Sequence, residues 1–223
     1  EVLWAHPETR VSLEVRSPAI DEYLARLLTE HAPADAADIR RSEQTLLWEI
    51  ADWIVYDTAP ELYDVSPIHD WDFDLVADMV ELNGRSVIDA GAGSGKVAFG
   101  AVRRARHVFA VEPVAGLRSF MREKAGVAGI RNLFVLDGRL DAIPLPAGTA
   151  AVLLTCRAIG WRLEAELAEI ERVVKPGGVA LHLGLDDPAS GGEPLGSRLI
   201  EAGYAVTTYL EGDEQRWAYR KQL

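Results

Sequence analysis

The chain lacks the features that mark secreted, membrane-spanning and metal-binding proteins. It holds a single cysteine, Cys156, among 223 residues, so it can form neither an internal disulfide nor a cysteine metal cluster, which favours a reducing cytoplasm. No apolar run approaches the roughly 20 residues that cross a bilayer, and the first residues show no signal peptide. The five histidines have no ligand spacing. We therefore expect a cytoplasmic protein with no membrane contact and no metal site.

Basic residues are scarce in the first part of the chain. Residues 1–80 contain 18 acidic residues and 5 arginines, whereas residues 81–223 contain 17 acidic and 18 basic residues, and the net charge is −12. A nucleic acid would need a basic surface to bind its phosphates. We expect a small-molecule partner and no nucleic acid.

Residues 1–80 read as a mainly helical extension that forms a cap or a lid on the substrate side. Apolar residues recur at helical spacing over about 17–31, 34–58 and 70–82, which predicts three helices. The alternation of Val11, Leu13 and Val15 favours a short strand.

Residues 81–223 alternate short β-branched runs with helical patterns, which predicts a mostly parallel sheet covered on both faces. The last two strands, joined by Glu211-Gly212-Asp213-Glu214, form an antiparallel hairpin. The predicted fold is thus α/β, Rossmann-like, with seven strands. The expected strands are 86–90, 107–111, 132–136, 150–155, 179–183, 204–210 and 215–220.

The most informative segment is the glycine-rich turn after the first of these strands, with Gly91, Gly93 and Gly95 at alternate positions. A P-loop would need Ser or Thr after Gly-Lys, but Val97 stands there, and a dinucleotide fingerprint would need glycine where Lys96 stands. The pattern is D-x-G-x-G-x-G. A tight strand-to-helix turn without a ligand remains an alternative for this segment alone.

Acidic residues stand at the carboxyl ends of three successive strands, where open α/β sheets bind their ligands. Asp89 precedes the glycines, Glu112 ends the second strand and Asp137 ends the third. A carboxylate can accept hydrogen bonds from both hydroxyls of a ribose, or one from an adenine amino group. Each acid alone could be an ordinary solvated side chain, but their ordered succession indicates a nucleoside site.

These pieces resemble class I S-adenosylmethionine (SAM)-dependent methyltransferases, and in particular the group that includes ubiquinone- and menaquinone-biosynthesis enzymes. The resemblance runs from Val87 to about Leu185. It rests on the segments VIDAGAGSG at 87–95, VEP at 111–113, DG at 137–138, IPLP at 143–146 and VKPGG at 174–178.

Applied residue by residue, the resemblance implies a site for SAM. Asp89 and the backbone of Gly91, Gly93 and Gly95 hold the amino-acid end. Glu112 binds the ribose hydroxyls. The adenine lies against Asp137 and Gly138, which contact its amino group and its ring.

The resemblance further implies that Thr155 and Cys156 line the pocket near the sulfonium. Here the chain departs from the family, because Ala150-Ala151 replaces a common Phe-Asp pair and the segment 156–161 replaces a frequent His-containing one. The methyl acceptor is therefore not specified by the resemblance.

Two residues are candidates for the acceptor side. His69 is a candidate general base, and Arg157 could bind a substrate carboxylate or phosphate through its planar fork. The alternatives are that His69 only packs the cap and that Arg157 pairs with an acid of the cap. His182 lies within a strand and reads as a core histidine.

The function that this sequence favours is methyl transfer from SAM to a small molecule by in-line displacement, which needs alignment more than acid–base groups. A SAM-binding regulatory or scaffold protein without turnover is an alternative. An NAD-dependent oxidoreductase is a weaker one, because Lys96 and the terminal hairpin argue against it.

Overall fold

The computed structural model describes the chain in several stretches and divides it into two compact units, Glu1–Ile54 and Val55–Leu223. The sequence predicts a domain boundary near residue 80, whereas the compact unit that contains the sheet begins at Val55. The described residues are 2–16, 25, 28, 39–40, 42–43, 46, 50, 54–66, 72–185, 195–211 and 214–223.

Two helices are described in the first unit, α1 (Val2–Ala5) and α2 (Pro7–Arg16). The strand predicted around Val11 is wrong, because these residues belong to α2. Proline at the first helical position and Glu8 in the first turn favour a helix start there, and three alternating residues do not outweigh it. The helix predicted over 17–31 falls almost entirely outside the described residues, as does most of the one over 34–58.

The second unit begins with helical residues 55–58, followed by α3 (Pro60–Asp64) and α4 (Asp74–Met79). The third predicted helix is thus confirmed in its described central part, although α4 is shorter than 70–82. Residues 55–66 lie on the sheet domain, and we call them the leading segment.

Seven strands form one sheet, and its helices follow in the order of the sequence prediction. The strands are β1 (Ser86–Ala90), β2 (His107–Val111), β3 (Leu133–Leu136), β4 (Ala150–Cys156), β5 (Val174–Leu185), β6 (Ala205–Glu211) and β7 (Glu214–Gln222). The helices are α5 (Lys96–Ala101), α6 (Ala115–Val127), α7 (Leu163–Val173) and α8 (Leu195–Glu201).

The strand order is β3-β2-β1-β4-β5-β7-β6. Strands β1 to β5 pair in parallel, while β7 runs antiparallel to both β5 and β6. The order reverses between β1 and β4, which places the switch point of the sheet beside the glycine turn. The predicted fold class is confirmed.

β5 begins five residues earlier than the sequence indicated. The segment Lys175-Pro176-Gly177-Gly178 forms an irregularity within this strand, since the register with β4 shifts between Ala150 and Val152. Gly177 has φ +78°, and its N–H donates to the carbonyl of Leu223. The glycines thus lie in an irregularity of β5.

Apolar side chains pack on both faces of the sheet. On one face, α4, α5 and α6 cover the sheet with residues such as Val76, Val97 and Met121. On the other face, α7 and α8 contribute residues such as Ile170 and Leu199. Both faces of β1 and β4 are buried, so their carboxyl ends are held rigidly between the two layers. Among the described residues, no helix is long and apolar enough to cross a membrane.

Candidate functional site

The glycine turn joins β1 to α5 at the carboxyl edge of the parallel strands. All three glycines have positive φ, +73° at Gly91, +57° at Gly93 and +96° at Gly95. A Cβ on Gly91 would lie 2.3 Å from the Cβ of Ala158, closer than any real carbon contact. The turn therefore needs glycine both for its backbone angles and for its close approach to the loop after β4.

Asp89, the next-to-last residue of β1, is a buried acid with an unusual environment. Only 1% of it is exposed, and within the described part of the chain neither carboxylate oxygen has a hydrogen-bond partner. Burial raises its pKa to about 7; the nearby backbone N–H of Ala98 lowers it in part, and the charge of Glu112 raises it further. A buried carboxylate of this kind is costly without a cationic or donor partner.

Glu112 lies at the end of β2 and binds the glycine turn directly. Its Oε2 accepts from the N–H of Gly93 at 2.9 Å, and its Oε1 accepts from the N–H of Val114 at 2.9 Å. Burial raises the pKa of Glu112, while the two backbone N–H groups and Arg118 lower it. Each oxygen keeps a second lone pair, so the carboxylate can accept two further hydrogen bonds.

Asp137 and Gly138 follow β3, as predicted, and Asp137 is linked to Glu112 through Arg118. The Asp137 side chain is 72% exposed and pairs with Arg118 at 3.1 Å. Arg118 also donates to the carbonyl of Glu112 at 2.9 Å, which ties the ends of β2 and β3 together. A Cβ on Gly138 would lie 2.6 Å from Cδ of Pro144, so only glycine suits this closely packed position.

Thr155 and Cys156 point to opposite faces of the sheet, because neighbouring residues of a strand alternate. Cys156 shares the face of Asp89, since Asp89 pairs with Leu154 in register. Burial raises the pKa of the Cys156 thiol to about 12. The Thr155 hydroxyl instead contacts Nδ1 of His182 at 2.8 Å. The Thr155 side chain thus lies with His182, away from the face that carries Asp89.

His182 is a core residue, as expected, and is fully buried. Desolvation lowers its pKa to about 3, so the ring is neutral at physiological pH. Its Nε2 has no partner among the described residues. The ring lies 5.0 Å from that of Tyr204, which fits a packing role.

Arg157 follows β4 and has φ +54°, the one positive value among the described non-glycine residues. Its Nη2 donates to both carboxylate oxygens of Glu211, at 2.9 and 2.7 Å. A Cβ on Gly184 would lie 2.9 Å from Cγ of Arg157. Arg157 therefore pairs with an acid of the terminal hairpin. A strained backbone at the end of a ligand-facing strand is typical of functional sites.

His69 lies outside the described residues, so the structure says nothing of its predicted role as a base. In the part of the chain that the structure describes, no group of three or more histidine, cysteine, aspartate or glutamate side chains could hold a metal ion.

The structure adds a residue to the site from the leading segment. A Cβ on Gly93 would lie 3.1 Å from Cε1 of Tyr63 and 3.3 Å from its hydroxyl oxygen, so the tyrosine ring covers the turn. Tyr63 is one of several aromatic residues in the part of the chain before β1, and the sequence pattern does not single it out. The sequence also missed Ser94, whose buried Oγ lies in the turn without a hydrogen-bond partner in the described regions. No motif distinguishes these two residues.

Comparison with known proteins shows that the sheet domain is similar to methyltransferase domains. A family of methyltransferase domains matches residues 87–178. An uncharacterized methyltransferase of Mycobacterium bovis is 33% identical over 95 residues. That match covers 42% of this chain and 37% of the relative, so the chain aligns with well under two thirds of the relative's length.

Solved structures share the fold. A SAM-dependent methyltransferase from Aquifex aeolicus has a TM-score of 0.59 at 21% identity, covering 72% of this chain and 94% of that one. The [4+2]-cyclase SpnF has a TM-score of 0.54 at 20% identity, covering 61% of this chain and 58% of that one. At these identities the likeness establishes the architecture, and the second neighbour's name shows that the architecture does not dictate one reaction.

Proposed function

We propose that the protein transfers a methyl group from SAM to a small-molecule acceptor. Residues 87–178 form a methyltransferase domain of the class I fold. This family and architecture imply SAM as the cofactor. The observation that carries this proposal is the pair of buried acids at the switch point. Among the residues that the structure describes, Asp89 lacks a hydrogen-bond partner there, and Glu112 is anchored to the turn with acceptor positions left.

The buried polar atoms fit this cofactor. SAM carries an α-ammonium group, and a cation is the partner that would favour the ionised form of Asp89 against the cost of its burial. SAM also carries two ribose hydroxyls, and Glu112 has one lone pair left on each oxygen. The described residues therefore offer a complementary group for the ammonium and for the ribose hydroxyls of the cofactor.

Residues at the carboxyl ends of β1, β2 and β3 would hold SAM. Asp89 and the backbone of the glycine turn would take the amino-acid end, Glu112 the ribose, and Asp137 with Gly138 the adenine. Cys156, on the same face as Asp89, would lie near the sulfonium, whereas the Thr155 side chain is engaged with His182. When bound, SAM supplies a methyl group on a good leaving group, so the protein's tasks are alignment and exclusion of water.

The described part of the acceptor side presents neutral or paired groups. The Cys156 thiol remains protonated at physiological pH, since its pKa is about 12. The charge of Arg157 is balanced by Glu211 at 2.7 Å. Such a site suits an acceptor that needs little charge stabilisation, and any required base would come from elsewhere, for which His69 remains our candidate.

A small acceptor is supported by charge. The chain as a whole carries −12, which disfavours a polyphosphate acceptor such as RNA or DNA. We keep residues 1–80 as a proposed substrate-side cap. The single cysteine supports, as a proposal, a reducing compartment such as the cytoplasm.

The test is methyl transfer from SAM carrying a labelled methyl group. The purified chain is incubated with acceptors that bear hydroxyl, amine, thiol or activated-carbon groups, and labelled products are separated by mass. Label in a product with the wild type, lost in Glu112→Ala, supports the proposal. A Lys96→Ala variant keeps the acids intact and serves as the comparison at the same turn.

Binding experiments separate the alternatives. Tight binding of S-adenosylhomocysteine (SAH) without transfer to any acceptor class would favour a SAM-binding protein without turnover. Binding of NADH but not of SAH, measured by calorimetry, would replace the proposal by an oxidoreductase.

A further inference from the structure

The leading segment reaches the cofactor site through one side chain. Tyr63, on α3, packs its ring against Gly93 in the glycine turn, and Gly93 in turn donates its N–H to Glu112. We propose, resting on the proposed function, that Tyr63 is a positioning residue that covers the SAM site, and that the Asp64–Lys124 ion pair holds it there.

The Tyr63 ring packs closely against two neighbours, Gly93 in the turn and Tyr56 in the leading segment. The ring of Tyr63 lies within 3.1–3.7 Å of the position that a Cβ on Gly93 would take, so any larger residue at 93 would displace the ring. The ring is also packed edge-on against Tyr56, with centroids 4.7 Å apart. Two aromatic rings from the leading segment thus form a wall that begins at the turn.

The leading segment is attached to α6 at two points on either side of Tyr63. Asp57 Oδ1 accepts from the N–H of Gly116 at 3.1 Å, in the first turn of α6. Lys124, near the other end of α6, donates to both carboxylate oxygens of Asp64 at 2.7 Å. Because α6 directly follows Glu112, the segment is held by the same helix that positions the ribose-binding acid.

A glycine in the first turn of α6 makes this attachment possible. A Cβ on Gly116 would lie 2.5 Å from the carbonyl oxygen of Asp57. Glycine weakens a helix by roughly 1 kcal/mol relative to alanine, so its presence in α6 is explained by the close approach of the leading segment.

The Tyr63 hydroxyl is close enough to Glu112 and Cys156 to interact with them electrostatically. Burial raises its pKa, the neighbouring Tyr56, Cys156 and Glu112 raise it further, and Arg157 lowers it. These neighbours include the ribose-binding acid on one side and the end of β4 on the other. Tyr63 is therefore a neutral group at physiological pH.

The experiment is calorimetric titration of SAH into the full chain and three variants. For Tyr63→Ala we expect the Kd to rise about tenfold or more, because the aromatic cover is removed. For Tyr63→Phe we expect the Kd to stay within about threefold of wild type, because the ring remains. For Asp64→Asn, which loses only the ion pair, we expect an intermediate rise.

Leu62→Ala is the matched control. It changes the neighbouring residue of the same helix, whose side chain is 60% exposed, and we expect no change in SAH affinity. Circular dichroism of each variant checks that the sheet domain is folded. A second readout is hydrogen exchange, in which exchange of the backbone amides of 61–66 should slow on addition of SAH in the wild type and in Tyr63→Phe, but not in Tyr63→Ala.

The outcomes are distinguishable. Unchanged SAH affinity in Tyr63→Ala would overturn the positioning role, and tighter binding would show that the ring obstructs the site instead. If the wild type itself fails to bind SAH, the proposed function fails. Equal losses in Leu62→Ala and Tyr63→Ala would also overturn the inference, since they would reflect the helix rather than the ring.

Discussion

Asp89→Asn should change how the stability of the protein depends on pH. In the unfolded chain this carboxyl ionises near pH 3.8, whereas in the folded protein its pKa is about 7 because it is buried. Between these values the folded protein retains a proton that the unfolded chain has released. The free energy of unfolding therefore falls as the pH rises, by at most about 1.4 kcal/mol per pH unit for this group.

The size of the effect follows from the two pKa values. With a folded pKa of about 7, the contribution lost between pH 5 and pH 8 is about 2–3 kcal/mol. Since Asp89 is only 1% exposed, solvent does not screen it. Asparagine does not titrate, so the stability of the variant relative to wild type should grow by that amount over the same interval. A constant cost of burying the amide shifts all points equally.

The assay is urea unfolding without SAM at pH 5, 6, 7 and 8, followed by circular dichroism. Asp78→Asn, at an exposed acid of α4, is the control and should show no growing difference. A difference between Asp89→Asn and wild type that stays flat within about 0.5 kcal/mol would refute the reasoning. Added SAH should reduce the slope of the wild type, because a cationic partner favours the ionised carboxylate.

Three further substitutions test the architecture of the site. Glu112→Ala leaves the backbone N–H groups of Gly93 and Val114 without their acceptor. It should cost about 1–3 kcal/mol for each, measured by urea unfolding, and should abolish measurable SAH binding. Gly91→Ala should lower the melting temperature more than Gly129→Ala, because both have positive φ but only the first meets a neighbouring Cβ at 2.3 Å; equal losses would contradict this. Glu166→Ala removes the carboxylate that binds the N–H groups on either side of Trp161 and should cost about 1–3 kcal/mol while leaving SAH affinity unchanged in calorimetry.

Much of the sheet domain was predictable from the sequence because its signals are local. β1 and β2 were predicted to the residue, since each is a short apolar run between polar ends. The boundaries of β5 and of α4 were not, because bulges and helix ends depend on pairing and packing partners. The strand predicted near Val11 failed because alternation over three residues is a weak signal compared with a helix start.

The candidate site divides in the same way. The glycines and the acids Asp89, Glu112 and Asp137 could be proposed from the sequence because they lie at or just after the carboxyl ends of strands, and parallel strands bring these ends together. The pairing of Arg157 with Glu211 could not be predicted, because Glu211 lies 54 positions further along the chain. The orientation of Thr155 toward His182 likewise depends on the register between β4 and β5.

By itself, the sequence determined the class of fold and the succession of strands, and it proposed the residues suited to a nucleoside cofactor, because these depend on patterns within a few residues of each other. Only the tertiary structure decided which of these residues meet. It showed that Asp89 is buried without a hydrogen-bond partner among the described residues, that Glu112 is bound to Gly93, and that the Tyr63 ring packs against Gly93. Such contacts join segments 19 or more residues apart, and their energies arise from burial and geometry that no local pattern records.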